Sequence, residues 1–159
     1  MLYSEEMLRR FLLLAVPATL LLAADKPDYS GHWVVDLSKS DFGMMPPPEK
    51  MERDIEHKDP EIKIKTMQKG QRGEMTSESK YTTDGKEATI QIRGREAKVK
   101  ATWNGSKLVV MTKSDFQGQE ISQKETWALS EDGKTLTINN EINSPMGEMV
   151  AKSVFTKGN

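Results

Sequence analysis

Polar and apolar residues alternate along most of the chain after residue 50. In the segment 51–58, Met51, Arg53 and Ile55 fall on one side of the alternation, with charged residues between them. A period of two is typical of β-strands, whose successive side chains point to opposite faces of a sheet. The pattern predicts ten short strands and no helix after residue 24. They are 30–37, 51–58, 62–66, 75–81, 88–92, 97–103, 108–116, 121–129, 136–142 and 149–155.

Turn-forming residues separate these strands at the intervals typical of an all-β domain. Asn104-Gly105 is the strongest hairpin signal, because both positions of a type I′ turn need φ above zero. Asp84-Gly85 is a further hairpin signal. Nearly every connection fits a hairpin, which favours an antiparallel up-and-down meander over a Greek-key sandwich. Closure into a barrel would remove the exposed sheet edges, so we expect a closed barrel.

An approximate internal repeat relates residues 81–86 to residues 129–134. Each stretch ends in Asp-Gly-Lys after a strand. The repeat has two interpretations, a duplicated hairpin unit or the common chemistry of Asp-Gly turns.

The first 24 residues have the pattern of a secretory signal peptide. Arg9 and Arg10 precede a short apolar run, residues 11–24, that ends in two alanines. This run is shorter than the roughly 20 residues that a membrane-spanning helix needs, although an uncleaved N-terminal anchor is the alternative. We expect cleavage after Ala24. Translation starts at Met1 or at Met7. A start at Met7 is favoured because it leaves Glu5 and Glu6 out of the basic region of the signal peptide.

Residues 25–159 are expected to form one exported domain, periplasmic or extracellular, with no stable membrane anchor after cleavage. A Pro-rich loop is predicted at 38–50, because the three consecutive prolines at 46–48 cannot donate hydrogen bonds to a sheet.

Composition narrows the chemistry that this domain can perform. The chain has no cysteine, which excludes disulfides, thiolate zinc sites and cysteine nucleophiles. Its formal net charge of -1 lacks the basic footprint that nucleic-acid binding needs. No phosphate-binding loop, serine-hydrolase elbow or HExxH zinc motif occurs. His57 has acidic neighbours in sequence, but alternation sends Glu56 to the opposite face, so we expect no metal site and no cofactor.

The first strand opens with Gly31-His32-Trp33, close to the expected start of the exported domain. This Gly-x-Trp placement resembles that of the lipocalins and the wider calycin group, which includes avidins and fatty-acid-binding proteins. Small exported bacterial proteins of unknown function, described as lipocalin-like, are similar across residues 25–159. The resemblance implies a calycin-type barrel in which the tryptophan closes one end, and it implies little about function.

Two departures from these families concern the ligand. Lipocalins carry a basic residue late in the barrel that packs on the tryptophan, and only Lys152 and Lys157 could serve here. Fatty-acid-binding proteins have a helical lid after the first strand, where this chain has the prolines 46–48, and an Arg-x-Tyr carboxylate clamp, where it has Phe155-Thr156-Lys157. These differences argue against a fatty-acid ligand, and no biotin motif of the avidins is present.

Inward-facing positions of the predicted barrel are neither uniformly bulky nor uniformly apolar. Ser77, Ser79 and Glu125 interrupt otherwise apolar rows. Burying a neutral polar group costs roughly 2–7 kcal/mol unless it is paired or hydrated, so the pattern predicts a partly wet interior that binds a ligand. The alternative is a filled core in which Arg53 and Glu125 pair and the tryptophans pack. The candidate ligand-binding residues are Trp33, Arg53, Tyr81, Trp103, Phe116, Gln123, Glu125 and Trp127.

The sequence therefore predicts an exported, lipocalin-like, non-catalytic protein that binds a small apolar or amphipathic molecule in its barrel. The alternative is a structural or interaction module that binds an envelope protein through its surface or loops. A third hypothesis is a small barrel enzyme that uses Glu125 or His57, which a strongly shifted pKa in an open cleft would indicate.

Overall fold

Ten antiparallel strands account for almost all of the regular structure. A computed structural model describes residues 25–159, and the predicted signal peptide, 1–24, lies outside the described residues. Residues 25–159 contain no helix, and hence no helical stretch suited to crossing a membrane. The all-β prediction is confirmed. The strands are β1 (Gly31–Val35), β2 (Lys50–Lys58), β3 (Glu61–Gly70), β4 (Gly73–Thr82), β5 (Ala88–Ile92), β6 (Arg95–Asn104), β7 (Lys107–Phe116), β8 (Gln119–Leu129), β9 (Thr135–Ser144) and β10 (Gly147–Lys157).

The strands form one sheet in the order β4-β3-β2-β1-β10-β9-β8-β7-β6-β5. Strands that follow one another in the chain are paired, with one exception at β4 and β5. The pairing of β1 with β10, in which Trp33 lies opposite Lys157, joins the two ends of the domain. The sheet therefore curls into a nearly closed barrel. This confirms the up-and-down meander and the calycin-type barrel.

The sheet is not closed between β4 and β5, which is a correction to the predicted hairpin at Asp84-Gly85. Asp84 Oδ1 accepts a hydrogen bond from Thr82 Oγ1 (2.6 Å), as Asp132 does from the serine hydroxyl two residues before it (2.6 Å). The Asp132 turn joins the paired strands β8 and β9, whereas Gly85 N, after β4, donates to Ala101 O of β6 (2.9 Å). The same local turn chemistry therefore leads to a hairpin in one place and to two unpaired edges in the other.

The turn between β6 and β7 also differs from its prediction. Asn104 pairs with Lys107, so the two turn residues are Gly105 and Ser106. Gly105 has a φ of 61°, while Asn104 is not among the residues with positive φ. Glycine at the first central position is the arrangement of a type II′ turn, and Asn104 continues the strand.

The predicted Pro-rich loop lies within the connection from β1 to β2, residues 36–49. The first part of this connection runs beside β10, where Asp36 N donates to Val154 O (2.7 Å) and Asp41 forms a bridge with Lys152. Val154 faces outward by strand alternation but is buried, and its backbone N donates to Ser40 Oγ in this loop (2.9 Å).

The two ends of the barrel differ in packing. One end, called here the closed end, holds residues 25–30 and the connections that follow β2, β4, β6 and β8; Lys26 contacts Asp59 there, and the Tyr29 hydroxyl contacts Ser106. Tyr29, Trp33 and Trp127 form part of the buried core and are fully buried. The other end, called here the mouth, is bordered by the turns that follow β3, β5, β7 and β9. Large apolar side chains at or near these turns are exposed; they are Met75, Ile92, Phe116 and Met146.

Candidate functional site

A cavity of about 260 Å³ lies inside the barrel, between the aromatic core and the mouth. Space remains there because small polar side chains stand at inward positions of β3, β4 and β7. These are Thr66, Ser77, Ser79 and Thr112. Apolar side chains line the same cavity; among them are Ile64, Ile90, Val99 and Val110.

Five of the eight predicted ligand-binding residues line this cavity. They come together because alternate residues of β2, β4 and β8 face the barrel interior. The five are Arg53, Tyr81, Gln123, Glu125 and Trp127.

The other three predicted residues, Trp33, Trp103 and Phe116, do not line the cavity. Trp33 is fully buried at the closed end, and Trp103 stacks there against Tyr29, with ring centroids 6.0 Å apart. Phe116 ends β7 at the mouth and lies beside the Arg95 guanidinium, whose Cζ is 4.3 Å from the ring centroid. Alternation indicates which face of the sheet a side chain is on, but not its depth along the barrel axis. These three residues are therefore not part of the candidate site.

Trp33 belongs instead to a structural contact with Lys157, one of the two lysines that the sequence left as candidates for a late basic residue. Lys157 Nζ lies 5.5 Å from the Trp33 ring centroid. Gly31 has a φ of 145°, and a Cβ at this position would lie 2.8 Å from Lys157 Cε. Glycine thus lets the lysine chain pass over the start of β1.

Arg53 and Glu125 pair inside the cavity, as the filled-core alternative predicted, but they do not fill it. Arg53 Nη2 lies 3.6 Å from Glu125 Oε1, and the two side chains are 16% and 15% exposed. Glu125 also accepts hydrogen bonds from Trp127 Nε1 (2.8 Å) and Gln123 Nε2 (3.1 Å). Both carboxylate oxygens are therefore engaged, and Glu125 acts as the counter-ion of Arg53.

The Arg53 guanidinium is also held by two aromatic rings. Its Cζ lies 5.6 Å from the Trp127 ring centroid and 5.4 Å from the Phe155 ring centroid, both within cation–π range. These contacts fix the position of the cation at the inner end of the cavity.

Two buried polar atoms near this pair have no hydrogen-bond partner within residues 25–159. They are Arg53 Nε and Asn140 Oδ1, and Asn140 lies directly opposite Glu125 in the β8–β9 ladder. Leaving such an atom unpaired costs about 1–3 kcal/mol. Arg53 lines the cavity, so a bound molecule can complete its unpaired donor, whereas Asn140 is not among the residues that line it.

Tyr81 adds a hydrogen-bond donor to the cavity wall. Burial raises the pKa of the Tyr81 hydroxyl, and the nearby Glu125 carboxylate raises it further, while Arg53 opposes the shift. The hydroxyl is therefore protonated throughout the neutral pH range and can donate a hydrogen bond.

The cavity also opens sideways, between β4 and β5. Glu78 and Gln91 point outward by strand alternation, yet both line the cavity, because the described sheet has no ladder between these strands. Arg93, in the turn after β5, lies at the same opening. A ligand could enter here without disrupting the paired part of the sheet.

A second polar network, centred on Asp59, lies at the closed end and outside the cavity. Asp59 accepts hydrogen bonds from Thr83 Oγ1 (2.6 Å), Trp103 Nε1 (3.1 Å) and Lys26 Nζ (3.3 Å). Burial opposes ionisation of Asp59, but these hydrogen bonds outweigh it and lower the pKa of its carboxyl to about 2. The sequence indicated only a turn at Asp59-Pro60, so this network was not predicted.

His57 and Tyr29 belong to the same closed-end packing. The His57 ring lies 5.8 Å from the Tyr29 ring and 5.9 Å from the Trp103 ring, and its Nδ1 accepts a hydrogen bond from Tyr29 N (3.2 Å). Burial raises the pKa of Tyr29 to about 12, partly offset by a backbone contact, so its hydroxyl remains a donor, here to Trp127 O (3.1 Å). Tyr29 precedes the first strand, so the alternation pattern did not identify it as a core residue. The available signal was that it is the aromatic residue nearest the expected mature N-terminus.

The two residues considered for catalysis lie in different places. Glu125 is in the cavity, whereas His57 is at the closed end with 2% of its side chain exposed. Among residues 25–159, no three His, Asp or Glu side chains are grouped so as to hold a metal ion. The cavity itself offers apolar surface and hydrogen-bonding groups.

Solved structures of several small barrel proteins share this fold. An abundant heat soluble (SAHS) protein from Ramazzottius varieornatus gives a TM-score of 0.62 at 14% identity, covering 86% of this chain and 99% of that protein. Human cRBP IV gives 0.55 at 18% identity, with coverages of 83% and 99%. Zebrafish ileal bile acid-binding protein, solved with cholic acid, gives 0.58 at 16% identity, with coverages of 82% and 98%.

No protein-family model matches the sequence, and no curated protein matches it. At these identities the structural likeness shows the fold alone. It agrees with the calycin-type barrel that the Gly-x-Trp opening implied.

Proposed function

We propose that this protein is an exported, non-catalytic binder of a small apolar or amphipathic molecule, which it holds in the barrel cavity. The observation that carries the proposal is a cavity of about 260 Å³ that combines apolar walls with a few convergent polar groups. This volume is slightly below the roughly 300–1,000 Å³ of typical sites for drug-sized ligands. The ligand is therefore small, or it leaves part of its length in the mouth.

The names of the fold neighbours support this proposal. One is a bile acid-binding protein that was solved with cholic acid, and another is the lipid binding protein 8 of Caenorhabditis elegans. Both proteins share this barrel architecture, so their names support a lipophilic ligand for the cavity found here.

The exported location in the proposal rests on the sequence of residues 1–24. A basic start, a short apolar run and a small-residue end are the features of a secretory signal. The proposal places the domain in the periplasm or outside the cell.

A fluorescence titration tests the binding function. N-phenyl-1-naphthylamine is an uncharged probe whose emission rises in apolar surroundings, and we expect saturable binding to the wild-type protein. Ser79 lines the cavity, so Ser79→Phe should fill part of it and weaken probe binding by about tenfold or more, or ~1.4 kcal/mol. Lys80→Phe makes the same change at the exposed, outward neighbour and should leave the affinity unchanged.

If the Ser79→Phe protein binds the probe as tightly as the wild-type protein does, binding in the cavity is contradicted. In that case, for a protein that circular dichroism shows to be folded, the interaction module that binds an envelope protein becomes the better candidate. The exposed side chains of Met44 (91%), Met146 (92%) and Val150 (65%) favour that second candidate, because they offer apolar surface outside the barrel.

A further inference from the structure

The charged side chains that face the cavity occur in balanced numbers. Arg53 and Glu125 lie at its inner part, while Arg93 and Glu78 lie at the side opening. The inner pair is separated by 3.6 Å and is largely buried. A ligand group that reaches this depth therefore meets a neutralised pair rather than a free cation.

The geometry around Arg53 leaves little room for an anionic ligand. Trp127 and Phe155 lie against the guanidinium, and the Glu125 carboxylate forms an ion pair with it, with Oε1 3.6 Å from Nη2. A ligand carboxylate that approached the guanidinium would lie next to the Glu125 carboxylate, which is already paired with it. Like charges at such short range in a poorly solvated site repel strongly.

A cationic ligand is also unfavourable at this position, because it would lie next to the Arg53 guanidinium. An ammonium group would have to compete with Arg53 for Glu125, whose oxygens also accept from Trp127 and Gln123. It would lie beside the guanidinium while losing its own hydration. The inner part of the cavity is therefore unfavourable for either sign of charge.

The groups left for a ligand are those suited to an uncharged polar partner. The Tyr81 hydroxyl is a protonated donor on the cavity wall, and Arg53, which lines the same cavity, has a buried Nε donor without a partner among residues 25–159. A hydroxyl group can both donate and accept, and a carbonyl can accept. Either would complete atoms that are otherwise costly to bury.

We propose that the ligand carries an uncharged hydroxyl or carbonyl at its buried end, and that the Arg53–Glu125 pair excludes ligands with a carboxylate or an ammonium at that position. This inference rests on the proposed binding function and specifies its ligand class.

Isothermal titration calorimetry with three matched ten-carbon probes tests this proposal. The probes are decan-1-ol, decanoate and decyltrimethylammonium, and we expect decan-1-ol to bind the wild-type protein most tightly. Any apolar cavity disfavours charged probes, so the decisive variant is Glu125→Gln, which keeps the shape of the side chain and frees the guanidinium. For this variant we expect decanoate binding to strengthen by about tenfold to a hundredfold, since a hydrogen bond to a charged group is gained. Decan-1-ol affinity should change by a smaller factor than decanoate affinity, because its hydroxyl carries no charge for the freed guanidinium to pair with.

Two further variants provide a control and an alternative for this test. Glu141→Gln removes the same charge from an exposed pair with Lys124 and should change neither affinity. If Glu125→Gln does not fold, Arg53→Gln provides the complementary case, in which decyltrimethylammonium gains about tenfold beside the uncompensated Glu125.

The possible failures can be told apart. Wild-type binding of decanoate as tight as that of decan-1-ol would overturn the proposed ligand class while leaving the binding function in place. Unchanged decanoate affinity in a folded Glu125→Gln protein would do the same. If none of the three probes binds the wild type or the variants, and N-phenyl-1-naphthylamine does not bind either, then the binding function itself fails.

Discussion

The closed end and the mouth of the barrel are formed by the same strands but are packed in opposite ways. At the closed end, Tyr29 and Trp127 are fully buried, and their rings meet edge to face with centroids 5.5 Å apart. Towards the mouth, the inward positions of β4 carry Ser77 and Ser79, and the space between the strands stays open.

This difference shows how one sheet can provide both stability and a binding site. Burial of large rings contributes most to the free energy of folding, so stability is concentrated at the closed end. The mouth contributes less to folding, and its small polar side chains leave room for a ligand. Regions of low local stability are commonly where binding occurs.

Removal of an aromatic ring should separate the two ends most clearly. Trp33→Ala deletes a fully buried side chain at the closed end and should lower the free energy of unfolding by ~3–5 kcal/mol. Phe116→Ala deletes a ring at the mouth that is 38% exposed, and should cost less than about 1 kcal/mol. Urea denaturation followed by circular dichroism measures both values. Similar losses from the two variants would contradict the division between the ends.

Added volume should also have different effects at the two ends. Ala101 is fully buried in the core, so Ala101→Leu should overpack it and destabilise the protein by ~1–3 kcal/mol. Ser79 faces the cavity, so Ser79→Val should change the unfolding free energy by less than about 1 kcal/mol, because the added methyl groups enter open space. Thermal denaturation of both variants checks this. A large destabilisation by Ser79→Val would mean that the barrel has no spare volume there.

Asp59 should make the closed end sensitive to acid. Its pKa is lowered from 3.8 to about 2 in the folded protein, so its interactions stabilise the fold above pH 3.8 and are lost as the pH falls towards 2. Asp59→Asn should destabilise the protein by about 1–2 kcal/mol near neutral pH, through the loss of hydrogen bonds to a charged acceptor. Urea titrations across a pH series should show the wild-type and variant curves converging at the acid end of this window. A difference that stays constant with pH would argue against the role of this carboxylate.

Strand number and strand faces could be predicted from the sequence because both depend on local alternation. Alternation therefore placed three polar residues correctly in the barrel interior, although their strands, β2 and β8, are distant in the chain. They are Arg53, Gln123 and Glu125. The turn at Gly105-Ser106 was misplaced by one residue, since the Asn-Gly signal is weaker than the register of β6 with β7.

The depth of a side chain along the barrel could not be predicted in this way. Trp103 and Trp127 both face inward, yet Trp103 packs at the closed end while Trp127 also lines the cavity. Depth depends on strand tilt and stagger, which are properties of the whole barrel. The network around Asp59 has the same origin, because its donors come from separate parts of the chain: Lys26 precedes β1, Thr83 follows β4, and Trp103 lies in β6.

By itself, the sequence determined an all-β meander with ten strands, the interior face of each strand and the presence of polar groups on that face. These features depend on neighbouring residues and on the period of two. Only the tertiary structure decided that β4 and β5 remain unpaired, although Asp84 and Asp132 form similar turns. It also decided that Arg53 and Glu125 meet beside an open cavity, because contacts between remote strands depend on how the whole sheet curls.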